Sequence, residues 1–167
     1  MDYNNYEGII RYAMHVEKDG VVNYKEHADN SNNPTTKRLF LGLSEMEKDH
    51  YEYLKGLLSK YLEGEDFSVD ENFVEREENI FEDRQEDEKM DVTMRESHIP
   101  DISALRTAFL VERDFKEFYQ EASDKVKDKS LKEVFARLAK WEEGHEKMLK
   151  KEYDRRMKEY MDLPWGG

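Results

Sequence analysis

Cysteine is absent from the 167 residues of this chain. That absence excludes disulfides, cysteine-ligated zinc, iron–sulfur clusters and thiol catalysis within the chain. With only 8 glycines and 3 prolines, the sequence has too few turn-forming residues for an all-β protein. No apolar run approaches the roughly 18 residues that span a bilayer, and the first residues lack the basic and apolar segments of a secretory signal. We therefore expect a soluble, cytoplasmic protein built mainly from helices.

Charge is abundant and unevenly distributed along the chain. The 27 basic and 40 acidic residues give a formal net charge of −13, which disfavours binding to nucleic acid or to an anionic membrane surface. Residues 63–101 hold 16 acidic and 4 basic residues and therefore carry −12 of that charge. Two apolar pairs in this segment, Phe73–Val74 and Ile80–Phe81, are seven positions apart and predict a short amphipathic helix. We interpret the segment as a solvated crossover; the alternative is a tract that attracts cations.

The rest of the chain is an internal duplication. Shifting the sequence by 95 positions places residues 10–54 on residues 105–149 without a gap, and 14 of those 45 positions are identical. Ordinary composition would give roughly three identities. Each half is therefore predicted to be the same helical hairpin. The predicted organisation is one domain (residues 1–167): a first hairpin over 1–62, the crossover over 63–101, a second hairpin over 102–160 and a tail over 161–167.

Breaks and capping residues set the predicted ends of the helices in the first hairpin. The first helix extends from about Tyr3 to Asp29, where an asparagine-rich stretch ends it. The second helix begins at Pro34, with Asn33 as its N-cap, and extends to about Leu62.

The second hairpin carries similar signals. The third helix is predicted to begin after Pro100, with Asp101 or Ser103 as its N-cap. The fourth helix is predicted to begin at Ser130, which forms a capping box with Glu133, and to extend to about residue 160.

A glutamate interrupts the apolar stripe of the first helix in each half, at Glu17 and Glu112. The second helix of each half carries a glutamate and a histidine three residues apart, and residues at that spacing lie on one face of a helix. The alternative, surface charges placed by chance, requires the same accident twice in register. The candidate metal ligands are therefore Glu17, Glu47, His50, Glu112, Glu142 and His145.

This donor set favours a particular kind of metal site. Four carboxylates and two imidazoles suit a pair of divalent first-row metals, iron first, with manganese or zinc as substitutes. The four carboxylates offset the four positive charges of two such ions. Without metal, buried carboxylates would repel one another, so we expect some of them to take up protons or the neighbouring structure to loosen.

The pattern resembles the ferritin-like di-iron carboxylate family, whose fold is an all-α, antiparallel four-helix bundle. More narrowly, it is similar to the rubrerythrin subfamily that lacks a rubredoxin domain. The motifs that carry this similarity are Val16-Glu17-Lys18-Asp19, Val111-Glu112-Arg113-Asp114, Leu43-x-x-x-Glu47-x-x-His50 and Leu138-x-x-Trp141-Glu142-x-x-His145. The resemblance covers roughly residues 5–60 and 102–155 and leaves the acidic crossover unmatched.

The resemblance implies a di-iron centre that peroxide or dioxygen oxidises. By that resemblance the metals would be bridged by Glu47 and Glu142, held terminally by Glu17 and Glu112, and capped one each by His50 and His145. Tyr24 and Tyr119, seven residues beyond each lone glutamate, would donate hydrogen bonds to the carboxylates. The alternative for both tyrosines is aromatic packing in the core.

Two departures from the family bear on function. Rubrerythrins commonly carry a further carboxylate where this chain has Phe115, and often a cysteine-ligated electron-transfer domain for which this chain has no cysteine. Peroxide reduction would therefore need an external electron-donor protein. The alternatives are a ferroxidase-type iron-handling protein with little turnover, or a structural bundle held together by metal.

The remaining expectations concern assembly and the other histidines. The 39-residue crossover does not force the two hairpins of one chain to pair, so two chains could exchange hairpins. The resemblance to rubrerythrin-like proteins, which are dimeric and in some cases exchanged in this way, implies a homodimer. The alternative is an unexchanged bundle with the acidic segment folded along its side. His15, His27 and His98 are interpreted as ordinary surface residues, since His15, for example, faces away from the glutamate two positions later.

Overall fold

The computed structural model describes residues 2–65 and 99–162, which form four α-helices. These are α1 (Tyr6–Asn30), α2 (Pro34–Glu63), α3 (Ile99–Lys125) and α4 (Lys129–Met161). The described ranges contain no strand, and the predicted all-α four-helix bundle is confirmed. The amphipathic helix predicted within the crossover lies outside the described residues. Among the helices that are described, none has the length and apolar composition needed to cross a membrane.

Capping residues explain where the helices of each hairpin begin. Asn33 caps α2 as predicted, because its side chain accepts hydrogen bonds from two backbone N–H groups of the first turn. The prediction for α4 is wrong. Its N-cap is Asp128, whose carboxylate accepts from the Leu131 N–H at 2.9 Å, and Ser130 lies inside the first turn. A carboxylate at this position both satisfies a free N–H and interacts favourably with the positive end of the helix dipole.

The starts of α1 and α3 also differ from the predictions. The Asn5 side chain accepts from the Gly8 N–H at 3.0 Å, so α1 begins at Tyr6 instead of Tyr3. In the second hairpin α3 begins at Ile99 and includes Pro100 in its first turn. Proline is tolerated there because a first-turn N–H has no partner within the helix.

Two apolar clusters lie at opposite ends of the bundle. The first, which we call the apolar end, joins the starts of α1 and α4 to the ends of α2 and α3, with Ile10, Tyr119 and Phe135 in its core. The second joins the end of α1 and the C-terminal half of α4 to the starts of α2 and α3, around Tyr24 and Phe40. It follows that α2 ends and α3 begins at opposite ends of the bundle, the connectivity of a bundle with one long crossover.

A buried network of polar side chains accompanies the second cluster, and we call this the polar end. Arg156 on α4 is 4% exposed; its Nε donates to Glu152 at 2.9 Å and its Nη2 to the Asn33 side chain at 2.8 Å. Glu152 also accepts from Arg155. Because Asn33 is the N-cap of α2, the network ties the last turns of α4 to the start of α2. No sequence motif predicted this network.

Candidate metal centre

The six predicted ligands lie together between the two ends of the bundle. Each of them has an exposed fraction of 0%, although all are polar or charged. One helix of each hairpin contributes one glutamate, and the other contributes a glutamate and a histidine. Unpaired carboxylates are costly to bury, so a cluster of four in a dry interior needs compensating positive charge.

The cluster divides into two groups that share two residues. Within each group, one ligand atom of every residue lies within 4.8 Å of the others. The groups are Glu17, Glu47, His50 and Glu142, and Glu47, Glu112, Glu142 and His145. We call Glu47 and Glu142 the shared glutamates, and Glu17 and Glu112 the lone glutamates.

The two oxygens of each shared glutamate face different imidazoles. In Glu142, Oε1 lies 3.3 Å from Nδ1 of His50 and Oε2 lies 3.0 Å from Nδ1 of His145. Glu47 is arranged in the same way, with Oε2 at 3.5 Å from His50 and Oε1 at 3.3 Å from His145. The two imidazole rings stack with their centroids 5.4 Å apart. A carboxylate that presents one oxygen to each of two neighbouring groups could contribute to both, as the bridging role implied by the resemblance would require.

Each lone glutamate also divides its oxygens, between a tyrosine and the centre. The Tyr119 hydroxyl donates to Oε1 of Glu17, whose Oε2 lies 3.4 Å from Nδ1 of His50. In the other half, Tyr24 donates to Oε1 of Glu112, whose Oε2 faces His145 at 3.3 Å. Each lone glutamate therefore directs a single oxygen towards the centre, as a terminal ligand does.

Several carboxylate oxygens show that hydrogen bonds alone do not satisfy this cluster. Nδ1 of His50 has one oxygen from each of three glutamates within 3.5 Å, yet a ring N–H donates to few acceptors at once. Among the described residues, Oε2 of Glu17, both oxygens of Glu47 and Oε1 of Glu142 are buried without a hydrogen-bond partner. A metal cation satisfies several such oxygens together. The donor set and these oxygens fit a di-metal site.

The electrostatics of the metal-free centre divide the four glutamates into two kinds. Burial and the charges of the shared glutamates raise the pKa values of Glu17 and Glu112 well above the usual range. Burial also opposes charge on Glu47 and Glu142, but the two imidazoles outweigh it and hold the pKa values of both below the usual range. The lone glutamates therefore favour their protonated form and the shared glutamates stay ionised.

The imidazoles complete the charge balance. Burial opposes their positive charge, but the surrounding carboxylates outweigh it and raise the pKa values of His50 and His145 well above the usual range. Without metal, these shifts favour positive charge on the imidazoles beside negative charge on the shared glutamates. Two divalent cations would neutralise four ionised carboxylates beside neutral imidazoles. Metal binding would therefore displace protons held by the imidazoles and the lone glutamates.

The comparisons with known proteins agree with this geometry. The Rubrerythrin family profile matches residues 8–153, which include most of both hairpins and all six candidate ligands. The chain belongs to the rubrerythrin family. A solved structure, a hypothetical protein from Pyrococcus furiosus, is similar over 91% of this chain and 90% of that chain, with a TM-score of 0.66 and 22% sequence identity. That identity shows a shared fold. The curated proteins contain no match to this chain.

The tyrosines of this rubrerythrin-family centre lie where the resemblance implied, with one detail that spacing did not reveal. Tyr24 and the lone glutamate it contacts belong to different halves of the chain, and so do Tyr119 and its glutamate. Burial and these carboxylates raise the pKa values of both phenols well above the usual range. Both hydroxyls therefore remain protonated donors that fix the carboxylates in place.

The position three residues after each lone glutamate differs between the halves. In α1 it is Gly20, where an added Cβ would lie 3.0 Å from Cγ of Glu47. In α3 it is Phe115, which is half-buried and supplies no carboxylate. The absence of a side chain at Gly20 thus makes room for a shared glutamate, a role that the sequence analysis did not identify.

The other histidines take no part in the centre. His15 is exposed, as predicted. His27 was predicted to be an ordinary surface residue, but it is half-buried against the Phe40 ring, with the ring centroids 5.1 Å apart. His98 lies outside the described residues.

Proposed function

We propose that this chain is a di-iron oxidoreductase that reduces peroxide or dioxygen with electrons from an external donor protein. The observation that supports the proposal is the pair of buried donor groups that share Glu47 and Glu142. When bound, two iron ions would supply the two electrons that reduce the oxidant. The six residues would hold the ions in the roles that the resemblance implies, and their role as ligands remains a prediction.

The surrounding residues would contribute exclusion of water and fixed hydrogen bonds. The donors are fully buried between two apolar clusters, so charges in the centre interact more strongly than they do in water. Tyr24 and Tyr119 keep their protons and orient the lone glutamates. Both contributions exist before metal binds, and we expect the centre to be preorganised for it.

Anaerobic titration with Fe(II) tests the metal stoichiometry. We expect two Fe(II) per chain, followed by the absorption of an oxidised iron pair when one equivalent of hydrogen peroxide is added. Binding of one ion, or none, would refute the di-iron proposal. Metal analysis of protein purified from its native host would identify the metal that the site holds in the cell.

A second candidate is an iron-handling protein of the ferroxidase type with little turnover. The observation that favours it is Phe115, which stands where many rubrerythrins carry a further carboxylate. Catalytic consumption of peroxide in the presence of a supplied reductant supports the oxidoreductase. A single oxidation of the bound iron without further turnover supports the iron-handling protein instead.

We also propose a homodimer, for which an exchange of hairpins is the specific form to test. Each hairpin carries half of the donor set, and in the structure the two hairpins of one chain complete it. Mixing a Glu17→Ala chain with a Glu142→Ala chain during refolding discriminates the arrangements. An exchanged heterodimer regains one intact centre, whereas no recovery of paired metal binding would exclude exchange.

A further inference from the structure

A line of aromatic rings leads from the His50 ring of the centre towards the surface. Trp141 directly precedes a shared glutamate and is 3% exposed. Its indole stacks on the His50 ring, with centroids 5.2 Å apart and planes at 17°. The Tyr53 ring meets the indole edge-on at 6.4 Å; the residue is partly exposed, and its hydroxyl oxygen is buried. Three rings in contact thus connect a candidate ligand with the outside of α2.

The duplication shows that the bundle does not require this line of rings. The repeat equivalent of Trp141 is Met46, and the equivalent of Tyr53 is Met148. Met46 is fully buried, so a methionine fills the corresponding space in the other half. The six donors and the two tyrosines are the same in both halves, whereas these two aromatic residues occur only beside His50.

We propose that Trp141 and Tyr53 form the route by which single electrons enter the centre from an external donor. The inference rests on the proposed function, because only a centre that is oxidised needs electrons. With no cysteine in the chain, indole and phenol rings are its most readily oxidised side chains. Trp141 is therefore a relay residue, and Tyr53 is the outer contact of the relay.

The electron balance of the route is simple. One electron passes from the donor across the Tyr53 ring, the Trp141 indole and the stacked His50 ring to the oxidised centre, and neither aromatic ring is left oxidised. The donor is oxidised by one electron and the centre is reduced by one, while no bond forms or breaks. Two such transfers reverse the two-electron oxidation of the centre by hydrogen peroxide.

The decisive variants separate electron transfer from packing. Trp141→Phe keeps a ring stacked on His50 but removes the oxidisable indole, whereas Trp141→Leu removes both. Met46→Leu, at the repeat-equivalent position, is the matched control for a change in a buried side chain next to a shared glutamate. Circular dichroism and Fe(II) stoichiometry confirm that each variant folds and binds iron before the rates are compared.

Stopped-flow reduction measures the route directly. Iron-loaded protein is oxidised with one equivalent of hydrogen peroxide and mixed with the methyl viologen radical cation, a one-electron donor. We expect both Trp141 variants to be reduced about tenfold or more slowly than the wild type, while Met46→Leu stays within a factor of about two. Tyr53→Leu should slow the reduction as well. Wild-type rates in both Trp141 variants would overturn the proposal, and so would a normal rate in Trp141→Phe alone, because that result assigns the indole to positioning His50.

Electron paramagnetic resonance provides a readout that packing does not change. The chain has two tryptophans, so a Trp165→Phe background leaves Trp141 as the only source of an indole radical. When peroxide is added without donor in excess of the one equivalent that oxidises the iron pair, that excess is the oxidant, and rapid freezing should trap an indole radical whose spectrum narrows when the tryptophan is ring-deuterated. Absence of that radical in iron-loaded, oxidised protein would overturn the relay.

If wild-type protein binds no iron pair or is not oxidised by peroxide, the proposed function fails first, and that result is visible before any variant is compared.

Discussion

The two halves of this duplicated chain are the same at the metal centre and different at the ends of the bundle. Both halves supply a lone glutamate, a shared glutamate, a histidine and a tyrosine at equivalent positions. At the ends, Leu57 and Glu152 are repeat equivalents, and so are Tyr61 and Arg156. Leu57 and Tyr61 pack in the apolar end, whereas Glu152 and Arg156 form the buried network of the polar end. A two-metal site would require every donor at a fixed position. The ends of the bundle require only that space is filled and polar groups are hydrogen-bonded, so many combinations of side chains satisfy them.

The largest expected effect comes from Glu142→Gln, which removes a carboxylate that faces both imidazoles. Glutamine has the same shape without the negative charge, so we expect the affinity for the metal pair to fall by about a hundredfold or more. Glu17→Gln changes a residue of one group only, and one ion should still bind. Anaerobic Fe(II) titration measures both variants. Equal losses would contradict the assignment of Glu142 as shared.

The metal-free forms of the same variants are the control. The ionised Glu142 balances the imidazoles in the absence of metal, since they hold its pKa low, so its replacement should destabilise the metal-free protein. Glu17, with its raised pKa, carries a carboxyl that burial and its neighbours keep protonated, so its replacement should leave the unfolding free energy nearly unchanged. Urea unfolding distinguishes the two.

That the six side chains would lie together was predictable from the sequence, because coordination chemistry restricts both residue type and spacing. A glutamate and a histidine three residues apart share a helix face, and the duplication shows the pattern twice. The N-cap of α4 was missed although the same duplication contained it, since Asp128 is the repeat equivalent of Asn33. The partners of Tyr24 and Tyr119 were not predictable, because spacing along one helix does not determine which residue of another helix a side chain contacts.

The polar end was not predictable for a different reason. Glu152 and Arg156 lie four residues apart in a helix rich in charge, where such pairs are ordinarily solvated and contribute little. Only the packing of α4 against the start of α2 buries them. The sequence pattern therefore gave no sign that this ion pair differs from the exposed pairs around it.

The second prediction converts the polar end into the pattern of the apolar end. Glu152→Leu, which introduces the residue found at the equivalent position 57, should lower the unfolding free energy by about 3 kcal/mol. The buried Arg156 then loses the carboxylate at 2.9 Å and keeps only that of the more exposed Glu159, at 3.6 Å. Adding Arg156→Tyr, the equivalent of Tyr61, should recover much of that loss. Urea unfolding of the single and double variants measures the coupling. The Fe(II) stoichiometry should not change in either variant. If the losses of unfolding free energy from the two substitutions simply add, Glu152 and Arg156 do not act as one unit.

The third prediction concerns pH. The pKa values of His50 and His145 are raised in the folded state, so the stability that they contribute to the metal-free protein is present below their unfolded value of 6.5. It is lost as the pH rises through the folded values, at roughly 1.4 kcal/mol per pH unit for each proton. The raised pKa values of the lone glutamates act in the same direction.

Metal loading should reverse the dependence of stability on pH, because the metal ions replace the protons that the centre holds without metal. We expect the affinity for Fe(II) or Zn(II) to increase with pH and loading to release protons into a weakly buffered solution. Urea unfolding between pH 6 and 9, with and without Zn(II), compares the two states. A metal-free stability that does not decrease over this range would show that the imidazoles are not charged in the folded protein.

The smallest expected effect tests why the halves differ beside the centre. Gly20 lies in the middle of α1, where glycine costs a helix roughly 1 kcal/mol relative to alanine. An added Cβ would meet Cγ of Glu47 at 3.0 Å, so Gly20→Ala should displace this shared glutamate and weaken metal binding by about tenfold. The higher helix propensity of alanine should offset part of any loss in stability. Gly56→Ala is the matched control, since nothing lies within 4 Å of the added methyl group on the exposed face of α2. That variant should bind metal as the wild type does and be slightly more stable. Unchanged metal affinity in Gly20→Ala would show that Glu47 has room to move, and that the glycine is not what allows it to reach both groups.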